Sequence, residues 1–323
     1  MRVLIIRNTP DARVVRRRGR QNREFYREAD IECMRDALAA VGYEVDILEG
    51  DATLADNLLR TYADRDVFAF NVAYGVQGEC RYTHIPSLLE LLGVPYLCSG
   101  PRAHTLALDK YVTKVLIDRA GLPTPAFQLL TSADSVLDER LPFPLVVKPQ
   151  FESASFGLQC VQNRAELKDA VSAIVTEFDQ PALAEAFVPG REVNCGILGN
   201  APPTPLPLVE LDFGKATGQD WMATFEAKKA RVVGHICPPD LPEELTGAVQ
   251  ALAVRAFQTL GCCDCARIDF RIDESGQLWI LELNSMAAIH SDGSYYCAAK
   301  VLGWSYPEML GKLLEAALAR CAG

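Results

Sequence analysis

Residues 266–284 read ARIDFRIDESGQLWILELN and gather the side chains best suited to chemistry. The turn-like Glu274-Ser275-Gly276-Gln277 separates two apolar runs, a pattern that predicts a β-hairpin. Centring the turn between Ser275 and Gly276 sets Asp269 opposite Glu282, Arg267 opposite Asn284 and Arg271 opposite Ile280. Opposed residues share a face. One face then carries Arg267, Asp269, Arg271, Ile280, Glu282 and Asn284. The other carries Ile268, Phe270, Ile272, Trp279, Leu281 and Leu283, all apolar, and a one-residue slip would mix the two sets. Two directly opposed carboxylates, with Cβ atoms about 4.5–5.5 Å apart, repel and need a positive partner. Arg267 and Arg271 can supply it as a surface ion-pair ladder. Alternatively, Asp269, Glu282 and the Asn284 amide oxygen hold a divalent cation, and hard oxygen ligands with room for substrate phosphates suit Mg²⁺. The pattern leaves both open.

Other groups carry paired readings. Lys148 closes FPLVV before Pro149 and a Ser/Gly loop; it either reaches a phosphate or snorkels to water. Lys110, in ALDK, is a phosphate ligand or a helix-surface lysine. The loop Ser153-Ala154-Ser155-Phe156-Gly157 can cradle phosphates through backbone N–H groups, but the chain has no P-loop and no GxGxxG. Glu185 and Glu192 flank Ala186-Phe187-Val188-Pro189-Gly190. Acidic ends suit ribose hydroxyls while the apolar connector packs on a base; the plain reading is an inter-domain linker. Cys262, Cys263 and Cys265 contain one CxxC without further zinc-spaced ligands, which reads as buried thiols. His290, six residues past Asn284, reads as structural, and neither HExxH nor a nucleophile-elbow serine occurs.

The elements that position these groups follow from periodicity. Val3–Ile6, Tyr43–Leu48, Val67–Tyr74 and Val94–Cys98 read as strands, alternating with helical patterns such as Ile31, Met34, Leu38 and Val41. That alternation predicts an open parallel α/β domain over 1–103. Leu106–Ala120 reads as one helix. Strands at 143–148 and 182–188 around a helix at 165–178 make a small α+β unit over 104–189. A C-terminal α+β unit over 190–323 holds a helix at 245–260, the hairpin and two closing helices. Between the first strand and first helix lie six arginines within Arg13–Arg23, which read as a solvated loop or as an anion-recruiting arm.

Composition narrows the classes. The 323 residues are 49% hydrophobic and 23% charged, ordinary globular usage, which excludes wholesale disorder. A net charge of −10 argues against nucleic acid or an anionic membrane as partner. No apolar run reaches about 18 residues, so no membrane span is predicted. The N-terminal apolar stretch is too short for a signal peptide. Eleven scattered cysteines fit reduced thiols and a cytoplasmic protein.

Taken in order, these segments resemble the ATP-grasp superfamily and, within it, the D-alanine–D-alanine ligase family. The residues that carry the likeness are LLELLGVPYLCSG, ALDK with Lys110, AGLPTP at 120–125 and PLVVKP with Lys148. They continue with ALAEAFVPGREV, FEAKKA at 225–230, ARIDF and ILELN. The resemblance implies the three-domain ATP-grasp fold, with ATP between the central and C-terminal domains. It implies phosphate contacts from Lys110 and Lys148, adenine lining by Ala186, Phe187 and Val188 beside Glu185, ribose on Glu192, and Lys228 near the nucleotide. It implies Mg²⁺, with Mn²⁺ as an alternative, on Asp269, Glu282 and Asn284. It also suggests a homodimer.

The chemistry implied is carboxylate activation. Transfer of the ATP γ-phosphoryl makes an acyl phosphate with a good leaving group, and cations neutralise the developing charge. An amine then attacks; Arg267 stabilises the oxyanion, and Lys229 and Ser155 complete the catalytic candidates. Loops at 153–157 and 213–235 are the expected lids that exclude water.

Departures from the family concentrate on the substrate side. Its glycine-rich N-terminal motif and glutamate are replaced by the arginine stretch, with Glu24 or Glu28 as substitutes. Its loop serine aligns with Ala154, its tyrosine with Lys229, and its oxyanion glycine with Ala288. The serine holding the acceptor carboxylate falls within Ser291-Asp292-Gly293-Ser294. The expected activity is an ATP-dependent carboxylate–amine ligase acting on an amino acid or small peptide other than two D-alanines, with Lys229 and the arginine loop favouring an acidic or larger acid. The rivals are another nucleophile (an internal amine or a thiol) and a nucleotide-binding protein without turnover.

Overall fold

The computed structural model describes residues 1–19, 21–213 and 234–322. Lys228, Lys229, FEAKKA and most of the expected 213–235 lid lie outside the described residues.

The chain builds three sheets. β1 (Arg2–Arg7), β2 (Glu44–Glu49) and β3 (Val67–Asn71) form a parallel sheet in the order β2-β1-β3. Alternate β1 residues serve two cores, as period-2 side chains must. Val3 and Ile5 pack with Ile31, Met34 and Leu38 of α1 (Glu28–Ala40), while Leu4 and Ile6 pack with Leu54 and Leu58 of α2 (Leu54–Tyr62) and Leu89 of α3 (His84–Leu92). The expected strand at 94–98 shrinks to a single bridge, Tyr96 to Ala69.

The expected single helix over 106–120 is two. α4 (Pro101–Leu108) ends at Asp109, whose extended backbone (φ −78°, ψ 97°) breaks the turn. The Asp109 side chain then caps α5 (Lys110–Arg119) by accepting from the Val112 N–H at 3.0 Å. The break puts Lys110 at the first residue of α5.

The second sheet, in the order β4-β7-β5-β6, joins β4 (Phe127–Leu130), β5 (Leu145–Pro149), β6 (Gln159–Val161) and β7 (Ala182–Ala186) in antiparallel pairs under α6 (Arg164–Phe178). The third runs β11-β10-β8-β12-β13, with β9 (Thr204–Pro205) on β8 (Arg191–Leu198). Its other members are β10 (Val209–Asp212), β11 (Gly234–Ile236), β12 (Cys265–Ile272) and β13 (Leu278–Asn284). α7 (Glu243–Thr259) packs beneath it through Val249, Ala253 and Phe257. The chain closes with α8 (Ser294–Val301) and α9 (Tyr306–Cys321), and Leu310, Leu313 and Leu314 of α9 join the α1 core.

The hairpin keeps Arg267 opposite Asn284 and Asp269 opposite Glu282. It departs from expectation nearer the turn, where Arg271 lies opposite Trp279 and not Ile280. The turn is centred on Ser275 because the Asp273 carboxylate accepts from the Ser275 and Gln277 N–H groups at 2.9 and 3.0 Å. A bulge between Asp269 and Phe270 then absorbs one extra residue on β13 and restores the Asp269–Glu282 pair. As a result Leu278 and Ile280 join Phe270 and Ile272 in the core, while Leu281 stays half-buried.

Candidate active site

Opposite charges meet at one cleft between α5 and the hairpin, lined by Tyr82, Lys110, Ser153, Leu281, Glu282 and Asn284 among others. On the hairpin side, Arg267 forks onto Asp269, with Nε–Oδ1 2.7 Å and Nη2–Oδ2 2.8 Å. Asn284 Nδ2 donates to Asp269 Oδ2 at 3.1 Å and approaches Glu282 Oε1 at 3.5 Å. Burial pulls the Arg267 guanidinium down, but the Asp269 and Glu282 charges push it up by more, so it remains a cation. The ion-pair ladder is therefore half-formed: Arg267 takes Asp269, whereas Arg271 leaves for Glu192 on β8 at 2.8 Å. Two carboxylates and an amide on one face fit a hard divalent ion, provided that the Asn284 amide turns its oxygen inward.

The facing wall is cationic. Lys148, at the end of β5, lies 2.5 Å from Glu185 Oε1, and Lys114 of α5 lies 2.8 Å from Glu185 Oε2. All three are buried. Burial raises the Glu185 carboxyl, but the two ammonium groups outweigh it and hold it below its usual range. Burial lowers Lys148, yet Glu185 and Glu282 carry it above the ordinary lysine value. Lys110 donates to the Glu152 carbonyl, and burial pushes its ammonium down against the pull of Glu282. Two lysines share one carboxylate and a third meets a carbonyl, so this wall has excess positive charge facing Glu282, the complement of a metal–polyphosphate. Lys114 was missed by the sequence reasoning; its spacing four residues after Lys110 was the available signal.

The connector Ala186 to Val188 leaves β7 half-buried. Phe187, Val188 and Trp279 line a shallow hollow against the hairpin turn.

A second polar group stands at the cleft's other end. Tyr82 Oη donates to Glu24 Oε2 at 2.6 Å, and Ser153 Oγ donates to the same oxygen. Burial, then the Glu24 charge, holds the Tyr82 phenol well above its ordinary value, so it is a donor at neutral pH. Glu28 instead pairs with Arg7 at the surface. Of the two substitutes considered, Glu24 is thus the one brought to the cleft. Ser153 carries this contact; Ser155 lies two residues on, in left-handed backbone (φ 60°). Tyr82 arrives through Gly75, whose φ of 78° and a would-be Cβ only 2.0 Å from the Arg81 carbonyl admit no side chain. Arg81 itself donates to the Phe151 carbonyl at 2.9 Å. Neither Arg81 nor Tyr82 was singled out from the sequence. The arginine arm is tied to the loop after β3, with the Arg18 N–H donating to Gln77 Oε1 at 3.1 Å. Past Asn284, His290 Nδ1 meets Asp292 Oδ1 at 2.5 Å, and Arg27 lies 3.6 Å from the same carboxylate.

Lys148 on an antiparallel sheet, Lys110 and Lys114 on the adjoining helix α5, and a carboxylate hairpin opposite them make the arrangement of an ATP-grasp fold. The family described as D-ala D-ala ligase C-terminus matches residues 116–315. A D-alanine–D-alanine ligase of Pelotomaculum thermopropionicum is 35% identical over 82% of this chain and 85% of its own length. That of Bordetella petrii is 32% identical over 97% and 95%. The protein y4sG of Sinorhizobium fredii, whose name states no activity, is 38% identical over 89% and 87%. In fold, the D-alanine–D-alanine ligase of Bacillus anthracis complexed with ATP superposes with a TM-score of 0.78 at 22% identity, over 100% of this chain and 99% of that one. The chain belongs to the D-alanine–D-alanine ligase family and is an ATP-dependent ligase. Among the described residues no helix is long and apolar enough to cross a membrane. All eleven cysteines are free.

Proposed function

We propose that the protein joins a carboxylate to an amine through an acyl phosphate, on an amino acid or small peptide other than a pair of D-alanines. The observation that carries this is the cleft that Lys110 shares with Glu282 and Asn284, with the buried Lys114–Glu185–Lys148 cluster near enough for both lysines to interact with the Glu282 charge. Lys110 and Lys148 would hold the triphosphate, Ala186 to Val188 the base beside Glu185, and Glu192 the ribose. Asp269, Glu282 and Asn284 would hold Mg²⁺, which neutralises charge on the transferring phosphoryl group. Arg267, already charged at this face, would release Asp269 and meet the tetrahedral oxyanion. Ser155 and Lys229 are proposed catalytic helpers, and Lys228 a proposed nucleotide contact.

The substrate end departs from the family in its residues. Glu24, with Ser153 and Tyr82 donating to it, is an acceptor site for an ammonium group, which fits an amino acid as the activated acid. Ala288 stands where the family has an oxyanion glycine, and His290, Asp292 and Arg27 line the acceptor end. The proposed division into 1–103, 104–189 and 190–323, a cytoplasmic setting and a homodimer belong to the same proposal. The test is phosphate release from ATP over a panel of amino-acid and dipeptide pairs, with product masses. An amide product from a pair other than two D-alanines supports the proposal. D-alanyl-D-alanine as the sole product overturns the substrate assignment, and no product from any pair favours a binding protein.

A further inference from the structure

Arg271 is 4% exposed, yet it lies on the polar face of the hairpin and not in the core beneath. Its guanidinium joins three parts of the nucleotide side. Nη2 donates to Glu192 Oε2 at 2.8 Å, Nη1 donates to the Gly190 carbonyl at 3.0 Å, and Cζ sits 5.8 Å from the centroid of the Phe187 ring. The strand register makes this possible, since Arg271 is the β12 partner of Glu192 on β8. Gly190 does as well. It has φ 131°, and a Cβ there would fall 2.1 Å from the Ile272 carbonyl, so only glycine lets the connector close against β12.

We propose that Arg271 is a positioning residue for ribose recognition, acting through Glu192. This rests on the ribose role proposed for Glu192. A carboxylate near a triphosphate is repelled by it and, on a free rotamer, would turn to water. The buried guanidinium offsets that charge and holds the carboxylate in one orientation, in which it would accept from a ribose hydroxyl. Through Gly190 and Phe187 it also ties the connector to the same geometry, so base and ribose contacts form together. Lysine would not replace it, because a point charge lacks the fork that reaches both acceptors at once.

The experiment compares ATP with 2′-deoxyATP and 3′-deoxyATP as phosphoryl donors for the wild type, Arg271→Met and Arg271→Lys, with melting temperatures to confirm folding. One charge-assisted hydrogen bond to ribose corresponds to about a tenfold preference for ATP over the worse deoxy analogue in kcat/KM. The wild type is expected to show it. Both variants are expected to raise KM for ATP by about the same factor, keep kcat within about twofold, and lose most of the discrimination. Should Arg271→Met not fold, Arg271→Lys carries the same readout. A wild type that discriminates while the variants discriminate equally well overturns the role of Arg271 and leaves the ribose role of Glu192 standing. A wild type blind to both hydroxyls removes the ribose role itself.

Discussion

Glu185 is the side chain on which the lysine wall depends, and Glu185→Gln tests it. The carboxylate is 3% exposed and its two partners are buried ammonium groups at 2.5 and 2.8 Å. Removing one member of a buried ion pair costs about 3–5 kcal/mol, because the partner charge is left uncompensated. Here two partners lose their counter-charge, which places the variant toward the upper end. At about 2–4 °C per kcal/mol for chains of a few hundred residues, the melting temperature should fall by roughly 10 °C or more. The assay is thermal melting followed by circular dichroism at pH 7, with and without ATP and Mg²⁺. The nucleotide brings negative charge to the same lysines, so it should stabilise the variant by more than the wild type. The pH dependence has a fixed sign. The folded Glu185 carboxyl titrates below its usual range. Its contribution is therefore complete above the unfolded value of about 4.3 and lost as pH falls through the lower folded one, so the two proteins should converge in acid. A variant that melts within about 2 °C of the wild type, against a cost of this size, would show that Glu185 does not neutralise Lys114 and Lys148.

Three further outcomes are expected. Asp269→Asn should cut ATP-dependent turnover on the order of a hundredfold at fixed Mg²⁺, with partial recovery at higher Mg²⁺; unchanged turnover at low Mg²⁺ removes the metal role from the hairpin. Glu24→Gln should raise KM for the activated amino acid by about tenfold and leave KM for ATP unmoved, and equal rises in both constants would place Glu24 outside the substrate contact. Burial pushes His104 down to about 4, where it sits neutral with Nδ1 2.8 Å from Ser285 Oγ. The unfolded ring takes a proton near 6.5, so stability should fall by about 3 kcal/mol as pH drops from 6.5 to 4; His104→Gln should remove that slope in urea unfolding, and a slope that persists in the variant assigns it elsewhere.

Legibility in the sequence followed the range of the interaction. The Asp269–Glu282 and Arg267–Asn284 pairs were readable because they lie on one hairpin with strict period-2 alternation. Arg271 was misplaced because register also depends on where the turn is centred. That was decided by the hydrogen bonds of one carboxylate, Asp273, which the alternation does not encode. A bulge then cancelled the slip for the outer pairs alone, so the hairpin looked right at Asp269 and was wrong two residues later. The same logic holds at Asp109, where a single capping side chain splits what reads as one apolar-periodic helix.

Tyr82 and Ser153 lie 58 and 129 positions from Glu24 in the chain, and nothing local pairs them. Their meeting depends on Gly75 admitting the Arg81 backbone and on the β5–β6 loop reaching Arg81 and Glu24. The lysine cluster is the opposite case. Lys148 and Glu185 occupy neighbouring antiparallel strands, and Lys110 and Lys114 share one helix face, so short-range spacing carries most of their geometry. A cluster built from neighbouring strands and one helix face is written in short-range spacing, whereas one assembled between separate sheets is not. That difference accounts for a lysine cluster that reads clearly beside a group in which Tyr82 and Ser153, from unexpected positions, surround Glu24.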